Sequence, residues 1–303
     1  MSTLTPTDRA ALLSSWIQPS SENEKDQQDR AERMIADAIE AHPAFVGTNI
    51  RVYAKGSYPN NTNVRRDSDV DIVVENQDCF YYEFFECDDP PPGTITPYTG
   101  EWTPARWRRE VTNALVNCFG SSDVDSSGKV ALTVSEKPGS RPSADVIPSY
   151  VYYRYDRTDQ SVVHQGSKVF KTTSGSIENW PQQQLDNGRR KNTATNHRYK
   201  NYVRALKNAE NFLVKSEEME AKPSYLMECL VWNVPDATLR IGDLDDGFRA
   251  TLVWLWQHLD DQYVYEDWDE PNRLKYLFWS GQKWTRADAK EVVLKTWELL
   301  EYG

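Results

Sequence analysis

Long apolar segments are missing from this sequence of 303 residues. No run approaches the roughly 20 apolar residues that a membrane-spanning helix needs. The first residues also lack the basic-then-apolar order of a secretion signal. We therefore expect a cytoplasmic protein without a membrane partner.

Several common catalytic motifs are absent as well. The sequence has no Walker A, G-x-G-x-x-G, G-x-S-x-G or H-E-x-x-H segment, which argues against P-loop, Rossmann and hydrolase interpretations. Cysteine and histidine number four each, and neither shows the spacing of a zinc site. We expect reduced thiols rather than a structural metal cluster.

Positive charge is also in short supply. The chain has 35 Lys and Arg against 46 Asp and Glu, a formal net charge of −11. Duplex DNA or RNA is bound mainly by neutralising its phosphates, so this balance argues against a large nucleic-acid surface. A small basic pocket for a triphosphate remains compatible with it.

The residues that are present favour a mixed fold with a sizeable core. The hydrophobic share is 39% and the aromatic share 12%. Capping signals and apolar spacing predict helices over 5–16, 22–41, 103–118, 199–214, 225–234, 236–259 and 286–302. Strands are predicted over 51–54, 69–75, 130–135 and 144–153, and residues 76–105 as an irregular excursion.

These elements predict an α/β (α+β) fold in two lobes. A core with a mixed β-sheet takes up 1–190, including the long helix 22–41, and an α-helical lobe takes up 191–303. We expect the active-site cleft between the two lobes.

Two carboxylates and a small turn form the main catalytic signal. Asp69 and Asp71 are separated by one residue on a predicted strand, so their side chains share a face. Oxygen ligands of this kind suit Mg²⁺. Gly56 and Ser57, twelve residues upstream, form a turn that can present amide and hydroxyl groups to phosphate. The alternative is a pair of solvated acids at a strand end.

A third acid, Asp145, lies in an otherwise apolar strand. A carboxylate there is costly to keep charged unless a cation or a partner faces it. Asp69, Asp71 and Asp145 are therefore the candidate metal ligands, with Mg²⁺ as cofactor and Mn²⁺ as an alternative. Two such cations can activate an attacking hydroxyl and neutralise a leaving pyrophosphate.

Candidate nucleotide ligands follow in the helical lobe. Arg204 and Lys207 share a helix face and could reach a triphosphate, or could simply be solvated. Ser224 is either a helix N-cap or a phosphate ligand, and Tyr225 is either a core residue or a stacking platform for a base. The densest basic run, which includes Lys191 and Asn192, is either a solvated loop or part of the nucleotide pocket.

At this point the residues resemble a known superfamily, the DNA polymerase β-like nucleotidyltransferases. Within it, the chain is similar to bacterial cyclic-oligonucleotide synthases related to cyclic GMP-AMP synthase and oligoadenylate synthase. The segments that carry the resemblance are spread over almost the whole chain: GSYPNNTNVRRDSDVDIVV, ADVIPSYVYY, NWPQQQLDNGRRKNTATNHRYKNYVRALK and KPSYLMECLVW.

The resemblance implies a role for each candidate. The three acids would hold Mg²⁺, and Ser57 would contact the donor triphosphate. Lys207 and Ser224 would hold its phosphates, and Tyr225 would stack on its base. A further group would lie near the acceptor nucleotide: Asn187, Lys191, Asn192 and Thr195. Gln184 departs from the bacterial pattern, in which a histidine is expected, and no zinc insert for duplex binding is present.

The function implied is the joining of nucleoside triphosphates into a cyclic di- or trinucleotide second messenger, with release of pyrophosphate. In bacteria such enzymes serve anti-phage defence, in which the product activates a downstream effector. The terminal Gly303 raises the idea of conjugation by a ligase-like partner. Two alternatives stay open: a nucleotidyltransferase that modifies a protein, antibiotic or RNA acceptor, and a non-catalytic nucleotide-binding protein.

Overall fold

The computed structural model describes residues 4–64, 69–96, 98–259 and 268–303. Contacts between residues divide this part of the chain into two units. The sheet unit holds residues 21–59 and 69–181, and the helical unit holds 4–20, 60–64 and the described residues from 182 onward.

Within the described residues, seven strands form one mixed sheet. They are β1 (Ile50–Ala54), β2 (Val70–Phe84), β3 (Val124–Asp125), β4 (Leu132–Val134), β5 (Ala144–Tyr155), β6 (Val163–Phe170) and β7 (Ser176–Asn179). The order β1-β2-β5-β4-β3 forms the main path, and β6 pairs with the second half of β5 and with β7. β2 and β5 are parallel and every other described pair is antiparallel. The predicted mixed α/β fold class is confirmed.

Alternation along β2 and β5 gives the sheet two different faces. Ile72, Val74 and Val146 point to one face and form a buried core. Helices α2 (Glu22–Glu40) and α3 (Pro104–Phe119) pack there through residues such as Ile35 and Trp107. The opposite face therefore carries the alternate residues of the same strands, which include the predicted acids.

The helical unit has a core of its own. Its elements are α1 (Pro6–Trp16), α4 (Pro181–Ala194), α5 (Arg198–Lys215), α6 (Ser224–Asn233), α7 (Asp236–Leu239), α8 (Leu244–His258) and α9 (Arg286–Leu299). Buried aliphatic and aromatic side chains of α5, α6, α8 and α9 fill its interior. The sequence-based boundary at residue 190 falls inside α4, and α1 packs with the helical unit. No helix of the described residues is long and apolar enough to cross a membrane.

Several sequence-based elements need correction. Residues 76–84, predicted to be irregular, continue β2 after an irregularity between Asn76 and Phe80. The strands β3, β6 and β7 were not predicted. The single helix predicted over 236–259 is two helices, because Gly242 adopts a positive φ of 46° and Asp243 caps a new helix with its side chain.

Candidate active site

Asp71 and Asp145 lie opposite each other on two neighbouring parallel strands. They are direct register partners of β2 and β5, and partners in a parallel pair point to the same face of the sheet. Asp69 is exposed and immediately precedes β2. The structure thus brings together, on one sheet face, two carboxylates that are 74 residues apart in the sequence.

The Gly-Ser turn lies directly against Asp71. The backbone amide of Lys55 donates a hydrogen bond of 2.9 Å to the carbonyl oxygen of Asp71. Gly56 has a φ of +76°, and a Cβ atom at this position would stand 2.7 Å from Asp71 Oδ2. Glycine is therefore required here both for the backbone conformation and for the close approach of the carboxylate. Ser57 follows in the same turn.

The surroundings of Asp71 disfavour its negative charge. Burial raises the pKa of its carboxyl group, and the positive charge of Lys55 offsets part of that rise. The negative charges of Asp145 and Asp69 raise the pKa further. A divalent cation placed among these carboxylates would relieve both the repulsion and the loss of solvation.

The chemistry of the acids fits an oxygen-coordinated cation. Asp145 Oδ1 accepts a hydrogen bond of 2.8 Å from the Thr133 hydroxyl, which fixes its orientation and leaves Oδ2 for another ligand. Among the described residues, no three acidic, imidazole or thiol groups enclose an ion by themselves. Mg²⁺ is commonly held by one or two carboxylates together with substrate phosphates and water. The full ligand set stays a prediction.

Helix α2 supports the turn from behind. The Tyr58 hydroxyl donates a hydrogen bond to Asp29 of α2, and Glu32, one turn later, is hydrogen-bonded to the backbone of Ala54 at the end of β1. Sequence reasoning missed these supports, although the position of Tyr58 directly after the Gly-Ser pair is a signal that could have found one of them.

A buried charged cluster occupies the helical unit. Lys207 is 3% exposed and Glu228 is 2% exposed. Burial lowers the pKa of the Lys207 ammonium, and the nearby Glu228 carboxylate acts against that decrease. Glu228 accepts hydrogen bonds from the Thr62 hydroxyl at 3.0 Å and from Gln184 Nε2 at 2.8 Å. Gln184, the departure from the bacterial pattern, thus has a defined partner.

The alternative of a solvated Arg204 is wrong, and its contact with a triphosphate stays a prediction. Its guanidinium donates to the carbonyl oxygens of Ile17 and Asn61, both at 2.6 Å, and to Asn201 Oδ1 at 2.7 Å. The side chain is 4% exposed. Because three sides of the group are occupied by the protein, Arg204 braces α1 and the segment 60–64 within the helical unit.

Arg204→Lys is expected to lower the free energy of unfolding by about 2–3 kcal/mol. A lysine cannot reproduce three divergent bonds, and each buried carbonyl left without a donor costs about 1–3 kcal/mol. Urea unfolding would measure the change. Arg189→Lys, at an exposed position of α4, is the control and should be neutral. Equal stability of the two variants would contradict the bracing role.

Lys191 and Asn192 are also engaged by the protein, and their place in the nucleotide pocket stays a prediction. Lys191 Nζ donates to the Val234 carbonyl and to Asp236 Oδ1, both at 2.8 Å. Asn192 accepts from the Lys200 amide at 3.1 Å and contacts the His197 ring. These bonds connect α4 to α5 and to the start of α7. The basic run lies in helix α4, so the alternative of a solvated loop is wrong.

Ser224 and Tyr225 begin helix α6. Pro223 is the N-cap residue and makes no side-chain cap, so the exposed Ser224 hydroxyl does not act as the cap. Tyr225 is half-buried, and its hydroxyl donates to Glu270 Oε2 over 3.4 Å. Its ring packs edge-on against Trp284 with centroids 6.2 Å apart. Both positions stay candidates for nucleotide binding.

The fold and the paired carboxylates beside a Gly-Ser turn define a nucleotidyltransferase. Comparison with known proteins narrows this class. Residues 186–301 match the family model described as the cGAS/DncV-like nucleotidyltransferase C-terminal helical domain. The chain is 33% identical to the cyclic dipyrimidine nucleotide synthase CdnE of Cecembia lonarensis, over 96% of this chain and 97% of that protein.

Two further similarities cover nearly the full length. Identity to the cyclic dipyrimidine nucleotide synthase CdnE of Legionella pneumophila is 35%, over 94% of this chain and 96% of that protein. The structure of the CdnE cyclic dinucleotide synthase of Elizabethkingia meningoseptica with GTP and Apcpp superposes with a TM-score of 0.79. It is 30% identical and covers 96% of this chain and 98% of that one. The chain belongs to the family of cGAS/DncV-like nucleotidyltransferases.

Proposed function

We propose that this enzyme joins two nucleoside triphosphates into a cyclic dinucleotide and releases two molecules of pyrophosphate. The observation that carries the proposal is the pairing of Asp71 with Asp145 on neighbouring parallel strands, beside the turn at Gly56. The names of the Cecembia and Legionella relatives, which specify cyclic products of two pyrimidine nucleotides, support a ring of two.

Each new phosphodiester bond would form by the same nucleophilic substitution at phosphorus. A ribose hydroxyl oxygen of the acceptor bonds to the α-phosphorus of the donor, and the bond from that phosphorus to the leaving pyrophosphate breaks. The pyrophosphate takes the electron pair, and the hydroxyl proton passes to a carboxylate, for which Asp145 Oδ2 is the candidate. A second substitution between the two ends of the linear intermediate closes the ring.

Asp69, Asp71 and Asp145 would hold Mg²⁺ or Mn²⁺. The cation would supply charge neutralisation at the transferring phosphate and activation of the hydroxyl. The surroundings of Asp71 support this assignment, because two neighbouring carboxylates and burial disfavour its charge without a cation.

The remaining roles are proposed separately for each unit. In the sheet unit, the Gly56–Ser57 turn would meet donor phosphate with its backbone and hydroxyl groups. In the helical unit, Lys207 and Ser224 would hold phosphate and Tyr225 would stack on a base. Lys207 is supported by its burial beside Glu228, since a buried ammonium keeps its charge best next to anions.

Incubation with the four ribonucleoside triphosphates tests the function. The protein is mixed with Mg²⁺ and with single or paired triphosphates, and the products are identified by mass spectrometry after phosphatase treatment. A phosphatase-resistant cyclic dinucleotide is expected, first from CTP and UTP. Transfer only to an added protein, antibiotic or RNA acceptor would favour a nucleotidyltransferase that modifies such an acceptor. Absence of pyrophosphate release under all conditions would favour a non-catalytic nucleotide-binding protein.

The cellular role proposed is anti-phage signalling, in which the cyclic product activates an effector. A strain that carries the chain with its neighbouring genes should lose resistance to phage when Asp71 is replaced by Asn.

The ligase-like partner at Gly303 stays a prediction. The preceding Tyr302 is 2% exposed and donates a hydrogen bond of 2.5 Å to Asp245 Oδ1.

Activity should not depend on duplex DNA or RNA. The 46 acids outnumber the 35 basic residues, and Arg204 and Lys191 are occupied inside the helical unit. The rate of product formation at physiological salt should therefore stay the same when long duplexes are added. A tenfold stimulation, about 1.4 kcal/mol of coupling, would contradict this expectation.

A further inference from the structure

The second half of β2 has an edge that no strand covers. Residues Phe80–Phe84 pair with Val151–Tyr155 of β5 on one side. On the other side, β1 reaches only to Asn76, where its partner is Ile50. Within the described ranges of the chain, no strand pairs with the free side of Phe80–Phe84. An open strand edge presents amide and carbonyl groups that can pair with another chain.

An exposed aromatic surface accompanies this edge. Phe80, Tyr82 and Phe84 alternate along β2, and Tyr153 and Tyr155 lie opposite the last two on β5; we call these five residues the aromatic stripe. Their rings contact one another, with centroids 5.5 Å apart for Phe80 and Tyr153 and 4.9 Å apart for Phe84 and Tyr155.

The stripe is open to solvent on β2. Phe80 is 37% exposed and Tyr82 is 45% exposed, and Val163 on the neighbouring strand β6 is 48% exposed. Contiguous apolar surface of this kind is typical of interaction sites. An open edge beside alternating exposed side chains is the arrangement used in recognition by strand addition, in which the backbone supplies affinity and the side chains supply selectivity.

The surroundings of the stripe are acidic. Four exposed carboxylates lie within or just after the strand, namely Glu83, Glu86, Asp88 and Asp89. Arg154 lies on the adjacent strand, but it is 8% exposed, paired with Asp156 at 2.7 Å and stacked over the Phe85 ring. Arg157, two residues after the end of β5, is exposed, but the four carboxylates outnumber it, so the local charge available to a partner is negative.

A second copy of this chain would bring no cation to the edge. An antiparallel pair of two copies centred on Tyr82 would place Glu83 of each copy opposite Tyr81 of the other, and it would bring the four carboxylates of both copies into one region. Like charges brought together across an interface are unfavourable. A segment with cations would instead gain from the same carboxylates.

We propose that the edge Phe80–Phe84 and the aromatic stripe bind an extended, basic segment of a partner protein, which adds to β2 as a further strand. Alternate side chains of that segment would be apolar and contact the stripe. Its Lys or Arg residues would lie near the four carboxylates. The interaction is separate from nucleotidyl transfer, since none of the acids proposed to hold metal takes part.

A capped nine-residue peptide of alternating lysine and valine is the probe. Hydrogen exchange of the wild-type protein should slow by about tenfold or more at amides of residues 80–84 when the peptide is bound. Two control peptides should not bind: one with glutamate in place of lysine, and one with alternate backbone nitrogens methylated. The combined variant Phe80→Thr/Tyr82→Thr should weaken binding by about tenfold or more. Phe212→Ser, at a phenylalanine of α5 that is 50% exposed, is the matched control and should bind normally.

Four results would overturn the proposal. The lysine peptide fails to slow exchange at 80–84, or the methylated peptide binds equally well, or the glutamate peptide binds equally well. The fourth is a wild-type dimer in sedimentation that dissociates in the Phe80→Thr/Tyr82→Thr variant, because a second copy would then occupy the edge. The peptide controls use the wild-type chain, so they decide the matter even if the variant is unstable.

Discussion

Replacing Asp71 with Asn is expected to reduce cyclic-nucleotide synthesis about a thousandfold or more while leaving the metal-free protein at least as stable as before. Charge stabilisation by a catalytic metal supplies several kcal/mol at the transition state, and about 4 kcal/mol corresponds to a thousandfold change in rate. The variant keeps the size of the side chain and removes a charge that burial and two neighbouring carboxylates disfavour.

The pH dependence of stability gives a second test of the charge on Asp71. The folded-state pKa of Asp71 lies above its ordinary value. Its contribution to stability is therefore full at low pH and is lost as the pH rises through the folded-state pKa. At neutral pH the metal-free Asp71→Asn protein should melt at the same or a higher temperature, and added Mg²⁺ should stabilise only the wild type.

Asp159→Asn is the matched control. Asp159 is an exposed acid of the sheet unit whose Oδ1 accepts a hydrogen bond of 3.0 Å from the Ser161 amide. Asparagine preserves that acceptor, so activity, melting temperature and response to Mg²⁺ should all be retained. Full synthesis by Asp71→Asn would show that this carboxylate does not serve the metal.

Gly56→Ala should lower activity about a hundredfold, through displacement of the Asp71 carboxylate. The added methyl group would meet Asp71 Oδ2 at 2.7 Å, which is too close for two atoms that are not bonded. Displacement of a reacting group by about 1 Å can cost a factor of about 100 in rate. The rate of product formation under saturating triphosphate measures the effect.

Gly139→Ala separates this displacement from backbone strain. Gly139 has a φ of +74°, close to the +76° of Gly56, but no atom lies within 4 Å of the place that a Cβ would occupy. Both variants should lose about 1 kcal/mol of stability, because alanine is strained at positive φ. Only Gly56→Ala should lose activity. Equal activities of the two variants would show that the contact with Asp71 is unimportant.

The sequence was sufficient to find the paired acids because their signal is local. Asp71 lies on β2 and Asp69 directly before it, with the spacing of two that the sequence displays, and Asp145 interrupts an apolar strand that proved to be the parallel neighbour. Helix starts were predicted for a similar reason. The capping boxes at Thr5 and Ser21 involve residues only three positions apart.

The basic residues could not be assigned in this way. Helical spacing places Arg204 on a face of α5, but it does not reveal what covers that face. Its carbonyl acceptors at Ile17 and Asn61 are 187 and 143 residues away in the sequence. Lys191 similarly meets Asp236 from 45 residues away. Long-range packing decides whether such a side chain is a ligand or a brace.

The second half of β2 was missed because the alternation of its side chains changes phase. Before Asn76, the odd-numbered residues Asp71 and Glu75 share the face of Asp145. After Phe80, the even-numbered residues share it, since four residues of β2 from Asn76 to Phe80 correspond to one step along β5. A pattern of period two that shifts by an odd number cannot be followed through the interruption.

The interruption in β2 also separates the two ends of this strand mechanically. Asn76 Oδ1 accepts hydrogen bonds from the amides of Asp78 and Cys79, both at 3.0 Å, so backbone groups that leave the ladder are satisfied locally. A shift of register beyond this point therefore need not be transmitted to the pairing of Asp71 with Asp145. The outer end of the strand can be re-engineered as a binding surface without rebuilding the inner end.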